Sequence, residues 1–268
     1  ALPIYYANKA GMDSKMALGF KEQYLPTGEE GELPSTLFSS IVALSNKIDT
    51  LLGIFSIGKI PSGSRDPFAL RRAASAIVRI CIANNYNLDF YALVDDLESK
   101  YNNLDTKQVK EFLNDRLYKI FEDVNPTVVK AVLSSGEGDI VKISDKIKAL
   151  NPIVTSNDFS SYSATFKRIA NIIKDIDTAQ ILNVDASLFE DNEEKELFEA
   201  FTTISNKSFV SYEEELENLF ALKPTLDNFF ENVFVNHENE AIKLNRKNLI
   251  GLVYQGFKHI ADIKEITI

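Results

Sequence analysis

The stretch from Asp49 to Ala73 constrains this chain most, because an apolar helical run meets a corner rich in glycine, proline and serine, and a second helix leaves it. Upstream of the corner, Leu37, Ile41, Leu44, Ile48 and Leu51 recur at the helical period, with Lys47 and Asp49 off that stripe. Gly53 and Gly58 enclose Ile54, Phe55 and Ile57, which predicts a packed turn with glycines at positive φ and those three apolar residues buried. Asp66 before Pro67 predicts the next helix start: the carboxylate accepts from the first N–H groups, and Pro67, with its φ already fixed, takes the first helical position. On that helix Arg71, Arg72 and Arg79 share one broad face beside Ala73, Ala74, Ile77, Val78 and Cys81. A basic face at a rigid corner predicts an anionic partner.

The rest of the chain repeats the helical period without a competing strand pattern. Leu88-Asp89-Phe90 opens a helix through Leu97 and Tyr101, and Phe112, Leu117, Ile120 and Phe121 mark another that ends before Pro126. Residues 134–139 form a short loop between two further helices, 127–133 and 141–150. From Phe159 to Ile176, Tyr162, Phe166, Ile169 and Ile173 make one face, Lys167, Asn171 and Lys174 make another, and Arg168 lies between. Ser211 with Glu214 fits a capping box, and Pro224 opens a helix carrying the adjacent Phe229 and Phe230, of which one is expected to be exposed. A last helix is expected from about Arg246 to Ile263, with Asn245 as its cap or Arg246 reaching a phosphate. The fold class is all-α.

Charge and composition limit what such a chain does. Twenty-nine basic against 39 acidic residues leave a net charge of −10, which argues against coating nucleic acid without sequence preference, so phosphate contacts must come from local patches. Much of the acidity sits in residues 190–199 and 213–217. No apolar run approaches the roughly 20 residues of a membrane-spanning helix. The single cysteine, Cys81, sits on an apolar face and reads as core packing, and a cytoplasmic location follows as the default. Gly53 to Lys59 matches a phosphate-binding loop as far as its lysine, but Ile60 stands where a magnesium-binding hydroxyl belongs, and the glycines follow a helix rather than a strand.

The run from Lys47 to Ala73 closely resembles a motif of the bacterial heterotetrameric glycyl-tRNA synthetase β subunit, Lys-x-Asp-Thr-Leu-x-Gly-Ile-Phe-x-Ile-Gly followed by Asp-Pro-Phe-Ala-Leu-Arg-Arg-Ala. The resemblance extends upstream through Tyr6-Ala7, Glu22-Gln23-Tyr24 with Pro26, and Leu33-Pro34. Downstream it includes Lys167 to Ile172, Phe229-Phe230 with Val233, Leu244-Asn245-Arg246 and Ala261-Asp262. It implies a C-terminal fragment in three parts: a truncated HD-like helical region at 1–84, connecting helices at 85–154, and a DALR-type anticodon-binding bundle at 155–268. HD-type phosphohydrolases complete a metal site with a helical aspartate, here Asp49, yet the chain has no His-Asp pair, and its two histidines, His237 and His259, lie near the far end. No catalytic residue and no metal ligand set is expected.

The resemblance further implies an α2β2 enzyme that joins glycine to tRNA(Gly), with ATP and Mg used in the α subunit and no cofactor in this fragment. The expected partners are tRNA(Gly) and the α subunit, without a membrane. The tRNA-binding candidates are Lys167, Arg168, Asn171, Lys174, Arg246, Arg65, Arg71 and Arg72, cations and an amide suited to phosphates and unpaired bases. The alternative is an assembly module that docks the α subunit or the rest of β without tRNA specificity, which predicts large exposed apolar patches.

Overall fold

A computed structural model describes residues 2–156, 159–180 and 182–267. Among these the chain is all-helical, with two isolated β-bridges, Ser62 to Arg65 and Asp89 to Asp139. It divides into two compact units, one of residues 1–122 and 138–144, the other of residues 123–137 and 145–268. The stretch 85–154, expected as a connector, is therefore shared out between them.

The first unit holds α1 (Leu2–Lys9), α2 (Ser14–Glu22), α3 (Leu37–Ser56), α4 (Leu70–Asn84), α5 (Phe90–Leu97) and α6 (Thr106–Ile120). Side-chain oxygens of Asp13, Thr36, Asp89 and Asp105 accept from the opening N–H groups of α2, α3, α5 and α6, groups no helix satisfies by itself. The apolar stripe of α3 buries Ile48, Leu51, Leu52 and Phe55, and α4 answers with Leu70, Ile77, Val78, Ile80 and Cys81. Burying one such Leu or Ile contributes about 1.5–3 kcal/mol, so this pairing anchors the unit. By length and composition α3 is long and apolar enough to cross a membrane, which corrects the expectation that no run reaches that size. It packs on α2, α4 and α6, and carries Lys47 and Asp49 in mid-helix.

Around the corner the structure departs from the sequence reading in three ways. Gly53 stays helical, because α3 continues to Ser56, and only Gly58 (φ +70°) and Gly63 (φ +52°) use glycine's freedom. Phe55 is buried, but Ile57 is 63% exposed. Helix α4 begins at Leu70 rather than Pro67: residues 66–69 form a turn in which the Ala69 N–H donates to the Asp66 carbonyl (3.2 Å), and Ala69 takes a left-handed conformation. Asp66 caps nonetheless, its carboxylate accepting from the N–H groups of Leu70 (2.8 Å) and Arg71 (3.0 Å).

In the second unit lie α7 (Pro126–Leu133), α9 (Phe159–Ile172), α10 (Asn192–Ser205), α11 (Tyr212–Phe220), α12 (Lys223–Asn232) and α13 (Glu240–Lys258); the division falls within α8 (Ile140–Val154). Its core is aromatic. Phe166 sits edge-on to Phe257 at 5.4 Å, Phe220 to Phe257 at 5.5 Å, and Tyr162 to Phe220 at 5.0 Å, geometries that place ring edges on ring faces. Phe229 and Phe230 are both buried, against the expectation for one of them, because their rings meet at 5.6 Å and a guanidinium covers the second. The last helix starts earlier than expected: Asn239 caps it, and Asn245 lies inside it, bridging the backbone N–H and carbonyl of Asp185. Ser211 caps α11 as expected, while the Glu214 carboxylate reaches the N–H of Val210 rather than of Ser211.

Candidate nucleic-acid interface

Helix α9 carries the cationic face. Its apolar side buries Phe159, Phe166 and Ile169 and so fixes the opposite side outward, where Lys167 and Asn171 are exposed; Lys174, in the 3-10 turn Ile173–Asp175 that continues the helix, is exposed as well. Among the described residues no carboxylate pairs with Lys167 or Lys174, whereas Asp175 is held by Lys247 at 3.0 Å. Arg168 is exposed too, but it is tethered. Its guanidinium donates to the Phe230 carbonyl (2.7 Å) and stacks 4.5 Å from the centre of the Phe230 ring, so it clamps α9 to α12. Thr165 fixes the same contact through the Asp227 carboxylate (2.8 Å).

Arg246 is not at the surface. It is 2% exposed, and its guanidinium binds Glu194 through Nε (3.0 Å) and Nη2 (2.9 Å), Asp191 (2.8 Å) and the Phe234 carbonyl (3.0 Å). A fork with five donors suits this cluster of carboxylate and carbonyl oxygens, and its burial there turns it away from any phosphate at the surface. Glu194 is fully buried; burial alone raises its pKa, but Arg246 and the N–H groups of Asp191 and Glu190 outweigh that and hold it below the ordinary range. This corrects the expectation that Arg246 reaches a phosphate: its acidic partners lie some fifty residues upstream, where no local pattern reveals them.

At the other end of the chain, Arg65 and Arg72 are exposed. Arg71 donates to the Gly63 carbonyl (2.7 Å) and so closes the corner, and Arg79 holds the carbonyls of Gly28 (3.1 Å) and Gly31 (3.0 Å). The broad arginine face thus resolves into two loop anchors, Arg71 and Arg79, and one outward cation, Arg72. Asp49 accepts from the Tyr101 hydroxyl at 2.7 Å; burial, then the bond and charge of Asp49, push that phenol up to about 12. No cluster of three or more histidine, cysteine or carboxylate side chains able to hold a metal occurs among the described residues.

Sequence reasoning missed Lys47. It is 6% exposed in mid-α3, with its amine on the Tyr24 carbonyl (3.2 Å), and burial lowers its pKa. Glu22 was missed likewise: it is buried and accepts from the N–H (2.9 Å) and hydroxyl (2.8 Å) of Ser35. Off-stripe position alone gave no sign that either is covered, because the covering segment Tyr24 to Ser35 is a loop with no period to read.

Among the described residues the chain is all-helical, with cations and amides on helix surfaces and with the buried Glu22 and Glu194 held in internal hydrogen-bond networks. Its family follows from comparison: the chain belongs to the glycyl-tRNA synthetase β-subunit family. The model described as glycyl-tRNA synthetase beta subunit matches residues 2–134. A glycine-tRNA ligase beta subunit of Helicobacter pylori (strain G27) is 41% identical over 98% of this chain and 38% of its own length. Those of Geotalea daltonii and Pseudomonas aeruginosa (strain LESB58) are 35% and 34% identical, over 98% and 97% of this chain and 40% of their own length. The chain thus spans about two fifths of the curated relatives it matches.

Proposed function

We propose that this chain is the tRNA-binding part of a glycine-tRNA ligase β subunit, which recognises tRNA(Gly) while an α subunit, with ATP and Mg, joins glycine to it in an α2β2 enzyme of the cytoplasm. The observation that carries this reading is the outward face of α9, where Lys167, Asn171 and Lys174 stand free of carboxylates on a helix locked by its aromatic core. A rigid helix that offers two cations and an amide neutralises phosphates and hydrogen-bonds unpaired bases, as anticodon recognition requires. Arg168 acts by positioning α9, and Arg65 and Arg72 supply further cations in the first unit.

Titration of the chain with tRNA(Gly) and with a non-cognate tRNA across a salt series tests the proposal. The expected result is tighter cognate binding that weakens with salt, and a slope reduced by about one to two in Lys167→Ala/Lys174→Ala, one unit per lost phosphate contact. Binding indifferent to tRNA identity and to both lysines contradicts it.

The assembly reading has its own support. Tyr5, Tyr6, Met12, Met16, Phe20, Leu37, Phe38 and Ile41 are all exposed and are concentrated on α1, α2, α3 and the turn between the first two, with α2 packed on both α1 and α3. So many large apolar side chains on three neighbouring helices fit docking to another polypeptide of the ligase. The two readings use different surfaces, and one chain can serve both.

A further inference from the structure

A pocket of about 330 Å³ in the first unit gathers both ends of the Lys47–Ala73 run and the segment around Tyr24. Its lining includes Tyr24, Asn46, Lys47, Thr50, Phe68 and Arg72, and no carboxylate. Three of its features point to a ligand. Lys47 is buried, yet among the described residues its amine meets a neutral carbonyl and no carboxylate, so its charge is uncompensated there in a site where charge costs most. Arg72 is exposed at the pocket wall, and its guanidinium has no partner among the described residues. Tyr24 and Phe68, 59% and 45% exposed, present aromatic surface to solvent beside these two cations.

Two cations without an acid call for an anion, and aromatic surface beside them calls for a flat, stackable group joined to it. The α4 N-terminus is not what holds the anion, since Asp66 already occupies its first N–H groups. The geometry points to a site for one phosphorylated nucleotide, free or as an unpaired nucleotide of an RNA strand, with its base on Phe68 and its phosphate on Arg72 and Lys47. Asn46 and Thr50 supply polar groups on the same wall. The volume suits one nucleotide rather than a duplex, being at the lower end of small-ligand pockets. The inference does not depend on α9.

The test is equilibrium titration of the whole chain with three probes: 5′-AMP, adenosine, and a 5′-phosphorylated penta-adenylate. The expected result is saturable binding of AMP or of the oligonucleotide, with adenosine weaker by about tenfold or more, the size of one lost charge-assisted bond. Equal affinity for AMP and the oligonucleotide identifies a free mononucleotide, and much tighter oligonucleotide binding identifies an RNA strand. Arg72→Gln and Phe68→Ala, both at exposed positions, each weaken the bound probe by a similar factor while the helical circular dichroism is kept. Because Arg72 and Phe68 lie outside α9, their effect on the mononucleotide probe separates this site from the α9 proposal. Failure of both phosphorylated probes to bind, adenosine binding as tightly as AMP, or wild-type affinity in the Arg72 and Phe68 variants overturns the inference.

Discussion

Arg246 and Glu194 show how a residue's fate depends on distant chain. Without Arg246 the buried Glu194 keeps only the N–H groups of Glu190 and Asp191 for its charge, and removing one partner of a buried pair typically destabilises by about 3–5 kcal/mol. Arg246→Leu is therefore expected to lower the free energy of unfolding at pH 7 by about that amount, read by urea denaturation. The pH dependence has a definite sign. Glu194 titrates below its ordinary value of 4.5 in the folded state, so its contribution is present above that pH and is lost as pH falls through the folded pKa. The gap between wild type and variant should therefore narrow as pH falls below 4.5 and on through the lowered folded pKa. A gap that is constant with pH would mean the pair is not the source of the loss. Cys81 shows the opposite, legible case: an apolar stripe placed it in the core, where burial and then Asp139 push its thiol up to about 12.

Helical elements were legible where period and cap agree. Asp89 and Phe90, Pro126, Ser211 and Pro224 mark starts within a residue or two of those observed, because each acts through bonds to its immediate neighbours. The corner was half legible. The capping chemistry of Asp66 is local and was readable, but the left-handed Ala69 that delays α4 until Leu70 has no signature, since alanine rarely adopts that conformation. Two substitutions test this geometry by thermal or chemical unfolding. Asp66→Ala loses both cap bonds and should cost about 1 kcal/mol, whereas Ala69→Gly relieves the left-handed strain and should be neutral or stabilising by up to about 1 kcal/mol. Destabilisation by Ala69→Gly would place Ala69 outside that conformation.

Across the whole molecule, the sequence made the all-helical class and the cationic face of α9 readable, since both rest on periodicity within one element. It did not make readable the division into units, which splits the expected connector, nor the buried cluster around Arg246 or the pocket around Lys47. All three depend on which segments meet in space. Two surfaces stand out for binding, the lysine face of α9 and the apolar side chains of α1 to α3. Site-resolved amine labelling of the chain, with and without tRNA(Gly), decides whether the α9 face meets the nucleic acid. Lys167 and Lys174 are expected to be protected by tRNA(Gly), and less so by a non-cognate tRNA. Equal labelling of both lysines with and without tRNA(Gly), in a chain that remains folded, would contradict that expectation.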